Sequence, residues 1–199
     1  MRTESRFDVS KMAKRAQAKR VRAYVGLGAN VGDTRANLRH AIRAMTALPG
    51  VRVRGVSRLY RTKPVGVTDQ PDFLNAVAGL DVPAGPDPET GALALLSVLK
   101  VLEAAIGRKV RKRWGPREID LDLLIFGRHQ IRVERHDHPN RRWLEVPHPE
   151  ARERLFVLAP LADLAPWLAP VGWGESVETA RRRVAAAEPE SAVQVVGKL

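Results

Sequence analysis

The sequence RWGPREIDLDLLIFG, residues 113–127, places two carboxylates inside an otherwise apolar segment. From Ile119 to Phe126 the segment has the length and the branched apolar content of a buried strand. Residues i and i+2 of a strand point to the same face, and each residue rises about 3.3 Å. Asp120 and Asp122 are therefore predicted to share a face, with their Cα atoms roughly 6–7 Å apart. The opposite face is predicted to be apolar and to consist of Ile119, Leu121, Leu123 and Ile125.

A pair of carboxylates with this spacing can hold two divalent cations about 3.5–4 Å apart. All-oxygen ligation favours Mg²⁺ or Mn²⁺ over zinc. Arg113 and Arg117 bracket the Trp-Gly-Pro turn just before the pair, and guanidinium groups bind phosphate oxygens in a bidentate manner. The alternative is that both aspartates only face water, as most aspartates do. The neighbouring cations favour a site for metal and polyphosphate over this alternative.

The composition of the 199 residues is typical of one soluble globular domain, with 44% hydrophobic residues, 28% charged residues and no cysteine. No segment approaches the roughly 18 consecutive apolar residues of a membrane span. The basic N-terminus lacks the apolar core of a signal peptide. We therefore expect a cytoplasmic protein that has no membrane partner, no disulfide and no thiolate metal site.

The formal net charge of +12 is unevenly distributed along the chain. Half of it comes from residues 1–22, and residues 1–20 are predicted to be a flexible basic tail because they lack a sustained apolar stripe. Most of the remaining positive charge is concentrated in residues 108–117 and 132–142. Such clusters suit a polyanionic partner, which leaves nucleic acid, a membrane surface and a nucleotide triphosphate open.

The hydrophobic periodicity predicts the order β-α-β-β-α-β, followed by an additional helix. The second strand is predicted over residues 51–60 with a bulge at Gly55. Two helices on a mostly antiparallel four-stranded sheet form the ferredoxin-like α+β sandwich. Residues 128–142 are predicted to be a basic surface excursion, and residues from Gly174 onward a short helix with a loose tail.

Two other motifs leave alternatives open. GLGANVGD, residues 26–33, matches neither nucleotide-binding glycine pattern, so close packing of a glycine-containing strand is favoured over a phosphate cradle. His136 and His138 could bind zinc but lack further obvious ligands. His148 lies between two prolines and is either a phosphate contact or a structural histidine.

Five blocks resemble, in order and approximate spacing, the 6-hydroxymethyl-7,8-dihydropterin pyrophosphokinase family. They are GLGANVGD, SRLYRTKPVG, DQPDFLNAV, RWGPREIDLDLLIFG and VPHPEARERLFVLAPL, and they lie within residues 23–170. The resemblance implies a ferredoxin-like pyrophosphokinase domain over residues 21–173, followed by a C-terminal extension over residues 174–199. It also implies transfer of pyrophosphate from ATP to the hydroxymethyl group of the reduced pterin, giving the pterin diphosphate and AMP in folate biosynthesis.

The resemblance further implies a role for individual residues. Two Mg²⁺ ions bound with ATP would be held by Asp120 and Asp122. The catalytic residues would be Arg108, Arg117, Asp120 and Asp122. The pterin would be bound by Thr62, Val65, Phe73, Asn75 and Phe156. ATP would be bound by Glu103, Arg108, Trp114, Arg117, His148 and Arg154.

Two other functions use parts of the same pattern. A Mg²⁺-dependent nuclease would use the carboxylate pair and the basic surface, and it would bind polynucleotides in a salt-dependent manner. An RNA-binding module would use a ferredoxin-like sheet, but the aromatic motif of such modules is absent from this sequence. We therefore expect ATP and a reduced pterin as partners of a monomer that forms no stable complex with nucleic acid.

Overall fold

The computed structural model describes residues 19–109, 115–134, 142–189 and 192–199. The elements within these residues are β1 (Arg20–Ala29), α1 (Thr34–Ala47), β2 (Arg52–Val56), β3 (Arg58–Thr62), β4 (Phe73–Pro83), α2 (Pro88–Ala105), β5 (Asp120–Phe126), β6 (Ile131–Glu134), β7 (Arg142–Val146), α3 (Leu155–Leu164), α4 (Val177–Ala185) and β8 (Val193–Lys198). A short 3-10 helix, Ala151–Glu153, precedes α3. The predicted basic tail lies outside the described residues except for Lys19 and Arg20.

The main sheet has six strands. β5, β1, β4, β3 and β8 lie side by side in that order, and β2 pairs with β4. The neighbouring strands are antiparallel. The α+β prediction with a ferredoxin-like, mostly antiparallel sheet is confirmed. The predicted number of four strands is wrong, because the second strand is divided and the C-terminus adds another.

Helices cover both faces of this sheet. α1 begins after Asp33, whose Oδ1 accepts a hydrogen bond from the Ala36 N–H at 3.0 Å. α2 begins in the same way after Asp87, which accepts from the Thr90 N–H at 2.9 Å. These two helices bury the apolar side chains Leu38, Ala41, Met45, Leu95 and Leu99 against one face. On the other face, α3 and α4 bury Leu155, Leu158, Leu161, Val177 and Ala180.

The predicted strand over residues 51–60 is interrupted at Ser57. The Ser57 backbone N–H donates to the Val77 carbonyl, and the Ser57 hydroxyl accepts from the Val77 N–H, both at 2.9 Å. These bonds provide partners for the backbone N–H and carbonyl of Val77 on β4 at the break between β2 and β3. The register shifts between Val53 and Gly55, which is where a bulge was predicted.

Two segments that were predicted to be irregular form part of the fold. β6 and β7 form a two-stranded antiparallel sheet whose residues Ile131, Leu144 and Val146 are buried in the core. The predicted surface excursion over residues 128–142 is therefore wrong for residues 131–134, which form β6, while residues 135–141 lie outside the described part. The short helix predicted after Gly174 is confirmed by α4, whereas the loose tail is wrong for residues 193–198, because β8 pairs with β3.

Within the described part of the chain, no helix is both long enough and apolar enough to cross a membrane.

Candidate active site

The register of the sheet brings the predicted site residues into rows on one face. Asp120 on β5 lies opposite Gly28 on β1, and Gly28 lies opposite Asn75 on β4. In the next row, Asp122 lies opposite Gly26. Directly opposed residues of neighbouring strands project to the same face of a sheet. The prediction that the two aspartates share a face is confirmed.

The glycines of β1 keep the space between these rows open. A Cβ atom at Gly28 would lie 3.1 Å from Asn75 Oδ1 and 4.0 Å from Asp120 Cβ. A Cβ atom at Gly26 would lie 3.4 Å from the Leu124 side chain. The missing side chains therefore leave a recess between the carboxylates and the amide. Only the close approach of Asn75 at Gly28 fits the packing interpretation of the glycine-rich sequence, because Gly26 and Gly28 also line an open cavity.

A β-bulge ends the alternation of β5 just beyond the aspartates. The register with β1 shifts between Tyr24 and Val25, which pair with Ile125 and Leu123, so that Leu124 is the additional residue. Ile125 consequently packs with Leu124 in the apolar cluster under α3. The prediction that Ile125 shares the face of Leu123 is therefore wrong, because strict alternation does not continue through a bulge.

A cavity of about 370 Å³ opens above this face. The strand order β5, β1, β4, β3 gives the cavity two ends. The β5 end is lined by the charged or titratable side chains Arg117, Asp120, Asp122, His148, Glu150 and Arg154. The end over β4 and β3 is lined by Thr62, Lys63, Val65, Phe73 and Asn75, and Phe156 lies between the ends, with its ring centre 5.5 Å from the Arg154 guanidinium. The cavity thus has a charged end and an end with aromatic and amide groups, and its volume lies in the range of small-molecule sites.

Asp120 is held between two guanidinium groups. Arg108 Nη1 lies 2.7 Å from Asp120 Oδ1, and Arg117 Nη1 pairs with Asp120 Oδ2. Burial raises the pKa of Asp120 to about 6, and the negative charge of Asp122 also raises it. The positive charges of Arg117 and Arg108 lower the pKa but do not offset this rise. An additional positive charge near the carboxylates would therefore be favourable.

Asp122 has a looser electrostatic environment. Its Oδ1 lies 3.8 Å from Lys100 Nζ, and its side chain keeps 42% of its surface exposed toward the cavity. Lys100 also donates to the Leu121 carbonyl at 2.9 Å, which fixes its position beside β5. The sequence did not single out Lys100, because a lysine on an amphipathic helix usually only faces solvent.

Glu103 lies behind β5 and does not line the cavity. Its side chain is buried, and its Oε1 accepts hydrogen bonds from the Leu121 N–H at 2.6 Å and from Lys100 Nζ at 2.7 Å. Its Oε2 pairs with Arg108, which also does not line the cavity. Glu103 therefore holds Arg108 against Asp120. Direct contacts of Glu103 and Arg108 with a nucleotide stay predictions.

Asn75 and Thr62 form a buried polar pair at the other end of the cavity. Asn75 Nδ2 donates to Thr62 Oγ1 at 2.8 Å, which leaves Asn75 Oδ1 facing the recess above Gly28. The rings of Phe73 and Phe156 line the same cavity and are half-buried. This combination can hold a flat heteroaromatic ring by stacking and by edge hydrogen bonds.

Asp163 fixes the helix that carries Phe156. The Tyr60 hydroxyl donates to Asp163 Oδ2 at 2.9 Å, and Arg58 Nη2 donates to Asp163 Oδ1 at 2.6 Å. Burial raises the pKa of Tyr60 to about 12, and the hydrogen bond to Asp163 adds to this shift. Tyr60 therefore stays a donor at neutral pH and anchors α3 to β3.

His148 is positioned by the bulge in β5. Its backbone N–H donates to the Leu124 carbonyl at 2.8 Å, and its ring Nδ1 accepts from the Glu150 N–H at 3.3 Å. Burial lowers the pKa of His148 despite the opposing charge of Asp122. The ring is therefore neutral at pH 7 and carries its proton on Nε2. Arg154 follows with its guanidinium 5.5 Å from the Phe156 ring centre.

Asn30 was not identified as a site residue from the sequence, although it connects both ends of the cavity. It is 3% exposed, and its Nδ2 donates to Gln70 Oε1 and to the Pro71 carbonyl, each at 3.0 Å. Its Oδ1 accepts from the Arg117 N–H at 2.7 Å. Asn30 thereby links the loop before Phe73 to the segment that presents Arg117.

The replacement Asn30→Ala is expected to lower the free energy of unfolding by about 1–3 kcal/mol, because it leaves buried hydrogen-bonding groups without partners. Since both loops lose an anchor, KM should rise about 3- to 10-fold for ATP and for the reduced pterin, the two substrates that the resemblance implies. Urea unfolding and steady-state kinetics measure these effects. The matched control is Asn37→Ala, which removes a single side-chain bond to the Glu118 carbonyl; equal effects of the two variants would contradict this role of Asn30.

Several predicted residues cannot be placed by the structure. Trp114 lies in residues 110–114, and His136 and His138 lie in residues 135–141, all outside the described part. Among the residues that are described, no group of three or more His, Cys, Asp or Glu side chains could hold a metal ion. Protein-bound Mg²⁺ is usually held by one or two carboxylates and completes its coordination with water and substrate oxygens.

Comparison with known sequences decides the family. The profile of the 7,8-dihydro-6-hydroxymethylpterin-pyrophosphokinase (HPPK) family matches residues 24–166. The chain belongs to this family. The 2-amino-4-hydroxy-6-hydroxymethyldihydropteridine pyrophosphokinase of Methylorubrum extorquens is 42% identical over 174 residues, which cover 87% of this chain and 98% of that protein. The enzyme of the same name from Pseudomonas aeruginosa is 43% identical, covering 73% and 81% of the two chains.

Solved structures support the fold of this pyrophosphokinase. The crystal structure of Plasmodium falciparum HPPK-DHPS with pteroate aligns with a TM-score of 0.69 at 15% identity. The match covers 89% of this chain and 46% of that longer chain. The sequence-based prediction of a pterin pyrophosphokinase, a transferase of folate biosynthesis, is confirmed.

Proposed function

We propose that the cavity above β1 and β5 is where this chain transfers the pyrophosphoryl group of ATP to 6-hydroxymethyl-7,8-dihydropterin. One observation carries the proposal: the cavity has a carboxylate and guanidinium end and an aromatic and amide end. The first suits a metal-bound triphosphate, and the second suits a flat heteroaromatic ring. The recess over Gly28 lies between them.

The carboxylate end fits Mg²⁺. Asp120 and Asp122 provide oxygen ligands only, and Mg²⁺ is usually held by one or two carboxylates together with substrate phosphates. We propose that both aspartates bind two such ions in the ATP complex. Bound magnesium would neutralise phosphate charge and favour ionisation of the hydroxyl that attacks. β5 supplies the rigid support that such ligands need, because its neighbouring residues are buried in the core.

The arginines around Asp120 would exchange partners when ATP binds. Without substrate they neutralise one carboxylate, and the cluster of Arg108, Arg117 and Asp120 is pre-assembled by Glu103 and Asn30. In the complex, Arg117 would contact the phosphate oxygens while Asp120 is paired with metal. Guanidinium groups bind phosphate in a bidentate manner and stay charged, so this contact stabilises the charge that develops during transfer.

His148 and Arg154 would complete the phosphate end. The neutral His148 ring can donate from Nε2 to a phosphate oxygen without adding a charge beside Arg154. Arg154 is paired with Glu150 in the structure and also lies near the Phe156 ring. We propose that both side chains bind the nucleotide, which would place Arg154 between the phosphates and the pterin.

The amide end would orient the pterin. Stacking on Phe73 and Phe156 fixes the plane of the ring, and Asn75 Oδ1 accepts from a donor on the ring edge. The Thr62 hydroxyl holds the amide in this orientation. Val65 lies in the loop over this end and would contribute backbone groups. Orientation of the hydroxymethyl group toward the phosphates accounts for much of the catalysis, because phosphoryl transfer requires little covalent help.

The remaining expectations are also proposals. Trp114 would close over the bound nucleotide and exclude water, since hydrolysis competes with transfer. We propose that the protein acts in the cytoplasm as a monomer and forms no stable complex with nucleic acid. ATP and the reduced pterin would then be its partners in catalysis.

Isothermal titration calorimetry tests this proposal. A non-hydrolysable ATP analogue should bind in the presence of Mg²⁺ and should bind far more weakly in the presence of EDTA. A pterin alcohol should bind more tightly after the analogue, because the two ligands occupy adjoining ends of one cavity. Nucleotide binding that is indifferent to Mg²⁺, or pterin binding that is excluded by the analogue, would contradict the proposed arrangement.

A further inference from the structure

The C-terminal segment extends beyond the part of the chain that the family profile matches. The profile ends at residue 166, whereas α4 covers Val177–Ala185. α4 packs against the 3-10 helix and α3. Its apolar face buries Val177 and Ala180 together with Ala151 of the 3-10 helix, and all three side chains are fully buried. This helix therefore belongs to the support of the cavity wall.

Arg183 connects α4 to that wall. Its Nη1 donates to Glu153 Oε2 at 2.7 Å, and its Nη2 donates to Glu153 Oε1 and to the Arg152 carbonyl, both at 3.2 Å. Arg183 Nη2 also lies 3.1 Å from Glu175 Oε1. The same carboxylate oxygen accepts from Arg152 Nε at 2.9 Å. One guanidinium thus holds both the side chain and the backbone of the 3-10 helix.

The 3-10 helix lies between two residues of the cavity wall. His148 precedes it, Arg154 follows it, and both line the charged end of the cavity. Within the turn, the Ala151 N–H donates to the His148 carbonyl at 3.1 Å, so the turn moves as one unit with His148. A restraint on the 3-10 helix is consequently a restraint on the side chains that face the nucleotide.

We propose that Arg183 is a positioning residue that acts from outside the cavity, holding the His148–Arg154 turn in the orientation that binds the nucleotide phosphates. The proposal rests on the proposed function, because it assumes that the phosphates bind beside this turn. Arg183 does not line the cavity at either end. Its removal should therefore affect nucleotide binding more than pterin binding.

The strength of the restraint comes from the network. An isolated exposed ion pair contributes little, since water and salt screen it. Arg183 instead forms a bidentate pair with Glu153, shares Glu175 with Arg152 and binds a backbone carbonyl. Such networks restrain geometry more effectively than single pairs, because several partners fix the orientation of one planar group.

The test compares Arg183→Ala with Arg182→Ala. Arg182 is the adjacent residue, and it pairs with Glu178 within the same helix. Arg183→Ala should raise the dissociation constant of the Mg²⁺-ATP analogue and KM for ATP about 3- to 10-fold. KM for the pterin and kcat should each change less than about twofold. The urea midpoint should stay close to that of the unsubstituted protein. Arg182→Ala should leave all of these constants within about twofold of the unsubstituted protein.

A charge exchange provides the second measurement. Arg183→Glu alone should weaken nucleotide binding more than Arg183→Ala, because it places like charges beside Glu153 and Glu175. Combining it with Glu153→Arg should restore part of the affinity through the reversed pair. Equal nucleotide affinities of the Arg183→Ala and Arg182→Ala variants would overturn the proposal, as would equal rises in both KM values with loss of stability. If the unsubstituted protein neither binds the analogue nor forms AMP, the proposed function itself fails, and this inference fails with it.

Discussion

Asp122→Asn is expected to lower kcat for pyrophosphoryl transfer about 10³-fold, because it removes a carboxylate that we propose as a Mg²⁺ ligand, and such a ligand is worth several kcal/mol in the transition state. Asp122 has the looser environment of the two aspartates, with Lys100 at 3.8 Å and its side chain open to the cavity. Its replacement therefore leaves no tightly paired cation without a partner. Steady-state formation of AMP measures the effect, and urea unfolding verifies that the fold is retained.

Asp81→Asn is the matched control for this substitution. Asp81 lies on β4 in the same sheet, outside the cavity lining, and pairs with Arg22 at 2.7 Å and with Arg54. The control should lower stability slightly and leave kcat within about threefold, because surface ion pairs contribute little. A loss of activity in Asp81→Asn as large as that in Asp122→Asn would show that the sheet, and not a metal ligand, had been disturbed.

Gly28→Val is expected to lower kcat/KM for the pterin about 100-fold, because misplacement of reacting groups by about 1 Å can cost that much. A Cβ atom at this position would already lie 3.1 Å from Asn75 Oδ1, and the two additional methyl groups would occupy the recess. Asn75 is held by Thr62 and cannot move away without losing its 2.8 Å hydrogen bond. Valine favours strand conformation, so β1 should still form.

The matched control for the valine substitution is Gly55→Val on β2. A Cβ atom at Gly55 would meet a single Leu164 methyl group at 3.4 Å, which is ordinary contact, at a position outside the cavity lining. Kinetic constants of this variant should stay close to those of the unsubstituted protein. Unchanged pterin kinetics in Gly28→Val would show that the recess is not the pterin site.

The fold class and the carboxylate end of the site could be predicted because they depend on local periodicity. Alternation in β5 places Asp120 and Asp122 on one face whatever the rest of the chain does. A resemblance over five ordered blocks added the aromatic end, where Phe73 and Phe156 are separated by more than 80 positions in sequence but line one cavity.

The features that could not be predicted depend on contacts between distant segments. The bulge at Leu124 arises from the pairing of β5 with β1, and the sequence of residues 119–126 does not indicate it. β8 pairs with β3, which precedes it by more than 130 positions in the sequence. The local sequence indicates only a turn at Asn30, because its partners Gln70 and Arg117 are distant in sequence and meet it only in the folded chain. A buried polar group that joins two loops has no signal in its own neighbourhood.

The position of Glu103 illustrates the same limit. The resemblance predicted an acid near the nucleotide, and the structure shows this carboxylate behind β5, where it binds the Leu121 N–H and Arg108. Its effect on the cavity is therefore transmitted through Arg108 to Asp120. Whether an acid of α2 lines the cavity or supports it depends on its burial, and Glu103 is buried whereas Glu89 on the same helix is exposed.

The most direct test of the central claim is an analysis of products. The purified protein would be incubated with ATP, Mg²⁺ and 6-hydroxymethyl-7,8-dihydropterin, and the nucleotides and pterins would be separated by chromatography. The account predicts equal amounts of AMP and pterin diphosphate, with no AMP when the pterin is omitted. Formation of ADP with a pterin monophosphate, or AMP that appears without the pterin, would contradict transfer of a pyrophosphoryl group in this cavity.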